Sequence, residues 1–180
     1  MKELYFIRHG VSEGNLAGIW SGRTNTPLST KGHQQADKAA QTAKKDGVIF
    51  DLIISSPLDR ALHTAQYIAK AQNYAIENIM VDDRLIERSF GSLEGRTDRK
   101  ISALYRLDET SIDHIDGVEK IADLQIRANE VLKFIHSLPQ NRILVVAHGS
   151  FGRALRRAVN NTQPEKPVVG LPHAEIIKFI

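Results

Sequence analysis

Short apolar runs alternate with longer helical stretches along this chain, and that alternation restricts its fold more than any other feature. Three runs are followed within two residues by glycine or serine, which is typical of buried strands; they lie at residues 4–8, 51–55 and 143–147. A weaker strand is expected at 79–81 and an edge strand at 175–180. Helices are predicted at residues 31–46, 58–72, 119–137 and 150–160. Because parallel strands need long crossover connections, the pattern predicts an α/β fold, a three-layer sandwich with helices on both faces of a mostly parallel central sheet.

Length and composition favour one domain. The chain has 180 residues, of which 42% are hydrophobic and 25% charged, and these values are ordinary for a globular domain. We expect residues 1–180 to form a single domain, with residues 90–117 as a small cap that extends over one edge of the sheet. This segment begins basic and turns acidic, which is consistent either with a surface loop containing a short helix or with a substrate lid.

The composition also excludes several classes of site. Without cysteine, the protein can form no disulfide, thiolate metal site or cysteine nucleophile. No His-Glu-x-x-His pair and no Walker-type glycine loop occurs, so neither a metal nor another cofactor is expected. The net charge of +3 favours small anionic ligands, and the basic residues are too dispersed for a nucleic-acid site. No apolar run is long enough for an export signal or a membrane span, so we expect a cytoplasmic protein; the oligomeric state stays open.

The residues that follow the predicted strands indicate phosphoryl chemistry. Open parallel sheets bind ligands beyond the carboxyl ends of their strands. Arg8 and His9 follow the first strand, and Arg60 follows the second. His148 follows the late apolar strand, and the nearest carboxylate that could act with it is Glu87, after the weak third strand. Arginine binds phosphate oxygens through a planar fork that stays charged, and histidine can serve as nucleophile, acid or base, so the set suits a phosphate ester.

Five ordered blocks of sequence strengthen this interpretation. They are RHGVSEGN at 8–15, SG at 21–22 with PLSTKG at 27–32, SSPLDRA at 55–61 with TA at 64–65, Glu87 with FG at 90–91 and EG at 94–95, and VVAHG at 145–149. Together they resemble the motifs of the histidine phosphatase superfamily, also called phosphoglycerate mutase-like, in the order of that family and over nearly the whole chain. The resemblance implies the phosphoglycerate mutase-like version of the α/β fold.

The resemblance also implies a role for each matching residue. His9 is expected to be the nucleophile that forms a phosphohistidine, in a pocket where Arg8, Arg60 and His148 hold the phosphoryl oxygens. Glu87 is expected to be the general acid that protonates the leaving oxygen and then the base toward water, which requires a protonated carboxyl and favours an acidic activity optimum. Further phosphate or substrate contacts are expected from Asn15, Ser21, Gly22 and Gly149.

The resemblance leaves several functions open. The favoured one is a metal-independent phosphomonoester hydrolase, a histidine acid phosphatase type that acts through a phosphohistidine on a small phosphorylated metabolite. Mutases of the superfamily are longer, and a short cap shields a phosphohistidine from water poorly. Its compact phosphohistidine phosphatases lack the acidic segment around Glu87. The alternatives are mutase-type phosphoryl transfer and a module that binds a phosphorylated ligand without turnover.

Other polar residues are interpreted without a catalytic role. Isolated histidines are usually structural or exposed, which applies to His33, His63, His114, His136 and His173. A solvated helix face is expected for Arg153, Arg156 and Arg157. The plain alternative for Glu87 is a salt bridge with Arg84 or Arg88. Many relatives carry Gly-Glu-Ser before the long helix, whereas this chain has Gly-Val-Glu-Lys at 117–120, which puts a polar contact there in doubt.

Overall fold

The computed structural model describes residues 2–180, and within them five strands form one sheet in the order β3-β2-β4-β1-β5. The strands are β1 (Glu3–Arg8), β2 (Leu52–Ser55), β3 (Met80–Val81), β4 (Arg142–Ala147) and β5 (Ile176–Lys178). The first four run parallel, and β5 is antiparallel to β1 at the edge. The predicted mostly parallel α/β sheet is therefore confirmed.

Within the same residues, six α-helices connect the strands. They are α1 (Glu13–Ala17), α2 (Thr30–Lys45), α3 (Asp59–Ala71), α4 (Arg99–Leu107), α5 (Ile121–Ser137) and α6 (Gly149–Asn160). The four long predicted helices lie within two residues of their expected bounds. Helix α1 was not expected, because it is a short turn inside a polar motif, where the side chains of Ser12 and Asn15 bind each other's backbone N–H groups in a capping box.

Helices cover both faces of the sheet, as the sequence predicts. Successive side chains of a strand point to opposite faces, so neighbouring residues of β1 enter different cores. Phe6 packs on one face in a cluster with residues of α5 and α6. Ile7 packs on the other face in a cluster with residues of α2 and α3. The strands β1, β2 and β4 are thus buried on both sides, which explains why they appear in the sequence as continuous apolar runs.

The 90–117 segment packs on a small apolar cluster of its own. The buried members of this cluster are Trp20, Phe90, Leu93, Ile112 and Val118. At Gly91, φ is +51°, and a Cβ atom would lie 2.2 Å from the carbonyl oxygen of Asp116, so only glycine allows the two ends of the segment to approach so closely. Helix α4 lies in this segment, which forms one wall of the pocket described below.

A buried arginine ties this cap to the rest of the chain. Arg88 is fully buried, and its Nε atom donates to the carbonyl oxygen of Glu119 at 2.7 Å. Its Nη1 atom donates to the carbonyl oxygen of Glu109 at 2.7 Å, and Nη2 pairs with the carboxylate of Asp113. One guanidinium group therefore joins both ends of the cap to the start of α5.

No helix within residues 2–180 combines the length and the apolar character that crossing a bilayer requires.

Candidate active site

A pocket of about 290 Å³ opens at the carboxyl ends of the central strands. Nearly every residue that the sequence singled out lines it, namely Arg8, His9, Asn15, Ser21, Gly22, Arg60, Glu87 and Gly149. The exception is His148, which is fully buried beside the pocket. Because β1 and β4 are adjacent and parallel, their carboxyl ends bring Arg8 and His9 next to His148 and Gly149.

The ring of His9 is fixed so that one nitrogen is left for the pocket. Its Nδ1 atom lies 2.6 Å from the carbonyl oxygen of Gly10, and since a carbonyl only accepts, Nδ1 carries the proton. The lone pair then lies on Nε2. Burial, together with the charges of Arg60 and Arg8, holds the pKa of His9 well below its ordinary value, so the ring is neutral. A neutral ring with a free lone pair is the form that can attack phosphorus.

Two arginines are held beside His9 by backbone carbonyl groups. Arg60 donates from Nη2 to Gly22 at 2.7 Å and from Nη1 to the carbonyl oxygen of Thr24 at 2.8 Å. Arg8 donates from Nη1 to Leu171 at 3.0 Å, while its buried Nε has no partner within residues 2–180. Burial lowers the pKa of both guanidinium groups, yet both stay charged at neutral pH.

His148 lies behind this group, with its ring centroid 5.1 Å from that of His9. Its Nε2 atom is 2.7 Å from the hydroxyl oxygen of Ser56, which follows β2. Its Nδ1 atom is buried and has no partner in the described part of the chain. Burial and the charge of Arg60 hold the pKa of His148 well below its ordinary value. Like His9, it is therefore neutral near physiological pH.

The carboxylate of Glu87 is held by backbone N–H groups, and the salt bridge considered as its plain alternative is absent. Oε2 accepts from Ser150 N at 3.0 Å, and Oε1 accepts from Phe151 N at 3.0 Å and Arg88 N at 2.9 Å. Arg84 pairs instead with Asp82, and Arg88 with Asp113. The positive end of the α6 dipole therefore faces this carboxylate, because the N–H groups of its first turn bind it.

The four minor predicted residues all reach the pocket and differ in what they offer. The exposed Asn15 uses Oδ1 to accept from Ser12, which leaves its amide N–H₂ group for a ligand. Ser21 has a buried hydroxyl without a partner in residues 2–180. Gly22 offers its carbonyl to Arg60. Gly149 leaves space, because a Cβ atom there would lie 3.3 Å from the Arg8 Cζ.

The expectation that Arg153 and Arg157 form a solvated helix face is wrong. Arg153 is 8% exposed, lines the pocket and donates from Nε to Glu109 at 3.0 Å. Arg157 pairs with the other oxygen of the same carboxylate. Arg156 alone of the three follows the expectation, with a partly exposed pair to Glu165 at 3.2 Å. Glu109 comes from the cap, so nothing local to α6 signals that these guanidinium groups are covered.

Several pocket residues were missed because they lie in the cap. The cap helix α4 contributes Ser102, Tyr105 and Arg106 to the pocket wall. His173 donates from Nδ1 to the carbonyl oxygen of His9 at 2.8 Å, and burial with the charge of Arg8 lowers its pKa to about 4. The only sequence signal for the three cap residues was the irregular, charged character of the 90–117 segment. His173 lies outside that segment and does not line the pocket.

Glu119, in the Gly-Val-Glu-Lys stretch before α5, has a structural role. Glu119 binds the guanidinium of Arg127 through both carboxylate oxygens, at 3.0 and 2.8 Å, and its Oε2 also lies 3.4 Å from Arg23. Arg127 in turn donates to the carbonyl oxygens of Arg84 and Ile86, next to Glu87. Glu119 therefore supports the segment that carries Glu87.

Among residues 2–180, no three acidic, histidine or cysteine side chains are arranged to hold a metal.

The whole folded chain matches one family. The model of the histidine phosphatase superfamily, branch 1, covers residues 4–178. The chain belongs to the histidine phosphatase superfamily. This confirms the family inferred from the five sequence blocks, and the histidine phosphatase fold is the mixed five-stranded sheet described above within residues 2–180.

The relatives of this histidine phosphatase include proteins named as enzymes of phosphate esters. It is 35% identical over 156 residues to the probable phosphoglycerate mutase GpmB of Escherichia coli, covering 83% of this chain and 70% of that protein. A mycobacterial glucosyl-3-phosphoglycerate phosphatase in complex with VO3 has 28% identity and a TM-score of 0.83, covering 99% and 92% of the two chains. The phosphoserine phosphatase of Entamoeba histolytica in complex with 3-phosphoglyceric acid has 28% identity and a TM-score of 0.79, covering 99% and 90%. These neighbours support phosphatase activity.

Proposed function

We propose that the protein hydrolyses a small phosphomonoester through a phosphohistidine at His9. The observation that carries the proposal is the set of buried polar atoms without partners around the His9 pocket. They are Arg8 Nε, Trp20 Nε1, Ser21 Oγ and His148 Nδ1, all within the described residues. Buried polar groups are normally hydrogen-bonded, so these atoms mark where a ligand rich in acceptor oxygens completes the site.

The first half-reaction uses His9 and Glu87. The Nε2 lone pair of His9 attacks phosphorus, the P–N bond forms, and the bond from phosphorus to the ester oxygen breaks. The leaving oxygen takes the proton of Glu87 and departs as an alcohol. In the second half-reaction, water attacks the phosphohistidine while the Glu87 carboxylate removes its proton. The P–N bond then breaks and releases phosphate and neutral His9.

The phosphoryl group is held by charge and by fixed donors. The Nε and free Nη hydrogens of Arg8 and the unused hydrogens of Arg60 bind the equatorial oxygens, where charge accumulates during transfer. If the hydroxyl of Ser56 donates to Nε2 of His148, Nδ1 carries the proton and donates to the same oxygens. Both arginines are preorganised by carbonyl groups, so little reorganisation is needed when substrate binds.

Glu87 retains one position for the transferred proton. A carboxylate offers about four lone-pair sites, and backbone N–H groups occupy two on Oε1 and one on Oε2. The remaining site on Oε2 is the one available for a proton. Glu87 lines the same pocket as His9, which supports its role as acid and base. These N–H groups also fix the carboxyl group in one orientation.

Phosphate release tests the proposal. The wild-type protein, His9→Ala and His136→Ala are incubated with an aryl phosphate in EDTA at several pH values from about 5 to 8. His136 is exposed on α5 and is the matched control. We expect turnover by the wild type and the control and none by His9→Ala. Equal turnover by His9→Ala would remove His9 as nucleophile, and no turnover by any of the three would favour the binding module.

Mutase-type transfer is the second candidate, favoured by the name of the Escherichia coli relative. In that reaction the phosphohistidine returns its phosphoryl group to a second hydroxyl and not to water. Incubation with 3-phosphoglycerate distinguishes the two, because a hydrolase releases inorganic phosphate whereas a mutase yields 2-phosphoglycerate. We expect hydrolysis, because the pocket opens to solvent and the 90–117 segment that forms one of its walls is short.

A further inference from the structure

The backbone that follows His9 is a glycine at a position where a side chain cannot fit. A Cβ atom at Gly10 would lie 2.4 Å from the carbonyl oxygen of Gly32, in the first turn of α2. Glycine also has the most backbone freedom of any residue, so its conformation must be fixed by contacts with the rest of the chain. That conformation matters, because the carbonyl oxygen of Gly10 lies 2.6 Å from His9 Nδ1 and keeps the ring proton there.

Gln35 fixes the direction of this carbonyl group. Because a peptide group is planar, the carbonyl of Gly10 and the N–H of Val11 rotate together and point in opposite directions. The N–H of Val11 donates to Oε1 of Gln35, on α2, at 2.9 Å. This bond holds the plane of the peptide group, and with it the Gly10 carbonyl that faces the ring of His9.

Thr64 and His173 hold the peptide group on the other side of Gly10. Its N–H, from Gly10, donates to Thr64 Oγ1 at 3.2 Å, and its carbonyl oxygen, from His9, accepts from His173 Nδ1 at 2.8 Å. Thr64 lies on α3 and is fully buried, so no solvent water replaces this acceptor when it is removed. With both peptide groups held, neither φ nor ψ of Gly10 can change freely.

The hydroxyl group of Thr64 has one hydrogen, which it donates to the carbonyl oxygen of Arg60 at 2.7 Å, so its lone pairs are left for the N–H of Gly10. A bond from threonine to the carbonyl four residues earlier is common in helices, and Thr42 makes the same bond to Lys38 at 2.9 Å on the exposed side of α2. The bond from Gly10 is the additional feature. It joins the first turn of α3, which carries Arg60, to the backbone of the nucleophile.

A neutral histidine ring exists in two tautomers, and only one of them suits the nucleophile. Burial, together with the charges of Arg60 and Arg8, holds the pKa of His9 well below its ordinary value, so the ring is neutral. With the proton on Nδ1, the lone pair lies on Nε2. With the proton on Nε2, that nitrogen is an N–H donor and cannot attack phosphorus. The Gly10 carbonyl favours the first form, because a carbonyl accepts a hydrogen bond and repels a lone pair.

We propose that Gln35 and Thr64 are positioning residues that select the tautomer of His9 by fixing the two peptide groups beside Gly10. Both lie outside the lining of the pocket and act through the backbone. Removing either acceptor lets the Gly10 carbonyl turn away, so that the Nε2–H form becomes populated and those molecules lose their nucleophile. The consequence for turnover rests on the proposed function, whereas the tautomer is a property of the protein without substrate.

Nitrogen-15 NMR of the ligand-free protein measures the tautomer directly, because a ring nitrogen that carries a proton and one that carries a lone pair differ in chemical shift. The signals of His9 are assigned by their loss in His9→Ala. Spectra at neutral pH compare the wild type with Gln35→Met and Thr64→Val, which nearly keep the side-chain volume and remove the acceptor. We expect the Nδ1–H form in the wild type, and in both variants a shift of the Nε2 signal toward its protonated value.

Matched variants separate this effect from a general change in the helices. Thr42→Val removes the same type of helix bond, and Gln34→Met alters the exposed neighbour of Gln35; both should leave the His9 signals unchanged. Thr64→Ser and Gln35→Glu keep an acceptor oxygen and should restore the wild-type signals. Circular dichroism identifies the variants that fold. Unshifted His9 signals in the folded variants that lack an acceptor would overturn the proposal.

Steady-state kinetics with an aryl phosphate provides a second readout. We expect Thr64→Val to lower kcat about 10–10²-fold, the size of effect that remote changes have when they misplace a reacting group, with KM changed less than about threefold. Gln35 is half-buried, so water partly replaces it, and Gln35→Met should lower kcat about two- to tenfold. A lower kcat with unshifted His9 signals would show a general structural role and contradict the proposal. Shifted signals in the variants of a wild type without turnover would support it and count against the proposed function alone.

Discussion

Replacing Arg88 by methionine should destabilise the fold by about 3–5 kcal/mol. The substitution keeps most of the buried volume, so the loss comes from polar groups and not from a cavity. It leaves the carbonyl oxygens of Glu109 and Glu119 without their donor, and the Asp113 carboxylate without its partner. Each abandoned buried acceptor costs about 1–3 kcal/mol. The pair with Asp113, whose side chain is 28% exposed, adds about 1 kcal/mol, so the lower and central values for the whole substitution are about 3 and about 5 kcal/mol.

Urea denaturation measures this loss as a change in the free energy of unfolding. Arg84→Met is the matched control, because Arg84 pairs with Asp82 through a side chain that is 38% exposed. A pair of that kind contributes no more than about 1 kcal/mol. Hydrogen exchange should also become faster in the 90–117 segment of Arg88→Met than in the central strands. A loss below about 1 kcal/mol in Arg88→Met would refute the view that this guanidinium ties the cap down.

Three further predictions concern the site. Arg60→Ala should lower kcat about 10²–10³-fold, as for the loss of a preorganised donor to developing charge, and steady-state kinetics showing less than a tenfold loss would count against its role. Glu87→Gln should slow an alkyl phosphate about 10²–10⁴-fold and an aryl phosphate much less, because a phenolate leaves without a proton; equal losses on both substrates would contradict the acid role. Burial and the charge of Arg8 lower the pKa of His173 to about 4 from its ordinary 6.5, so the unfolded chain binds more protons in that interval. The free energy of unfolding of the wild type should therefore decrease as pH falls from about 6.5 to about 4. In His173→Gln this decrease should be smaller, because the proton uptake by His173 is lost. Urea denaturation at several pH values that gives the same pH dependence for both proteins would contradict the assignment.

The central sheet could be predicted because its signal is local. Strands β1, β2 and β4 are buried on both faces, so each appears as an unbroken apolar run, and the helices between them have a clear period. Their polar ends then carry Arg8, His9, Arg60 and His148 to one edge of the sheet. Parallel topology brings the carboxyl ends of neighbouring strands together, so the centre of the site could be predicted from the sequence.

The cap could not be predicted in the same way. Helix α4 is capped by Asp98, whose side chain accepts from the N–H groups of Lys100 and Ile101. Its apolar side chains pack on a cluster that includes Trp20, from a distant part of the chain, and Phe90. The spacing of Ile101, Leu104 and Tyr105 fits one face of a helix, but it does not show what that face contacts. The sequence therefore indicated the position of the cap, but it did not show that the cap forms a wall of the pocket.

The buried arginines of α6 also show that a local sequence pattern does not reveal tertiary contacts. The stretch GSFGRALRRAVN has a clear apolar face, and its arginines fall on the polar face, where solvent is the ordinary expectation. Glu109 reaches that face from the cap and covers Arg153 and Arg157. A local pattern gives the polarity of a helix face, but only the tertiary fold shows what that face contacts.

Trapping the covalent intermediate tests the central claim most directly. The wild-type protein is mixed with an aryl phosphate, quenched within milliseconds into alkali, where phosphohistidine survives, and analysed by intact-mass and peptide mass spectrometry. The phosphohistidine mechanism predicts one added phosphoryl group on the peptide that contains His9, in wild type and in Glu87→Gln but not in His9→Ala. A protein that turns over without this adduct, or that carries it on another residue, would contradict the proposed mechanism.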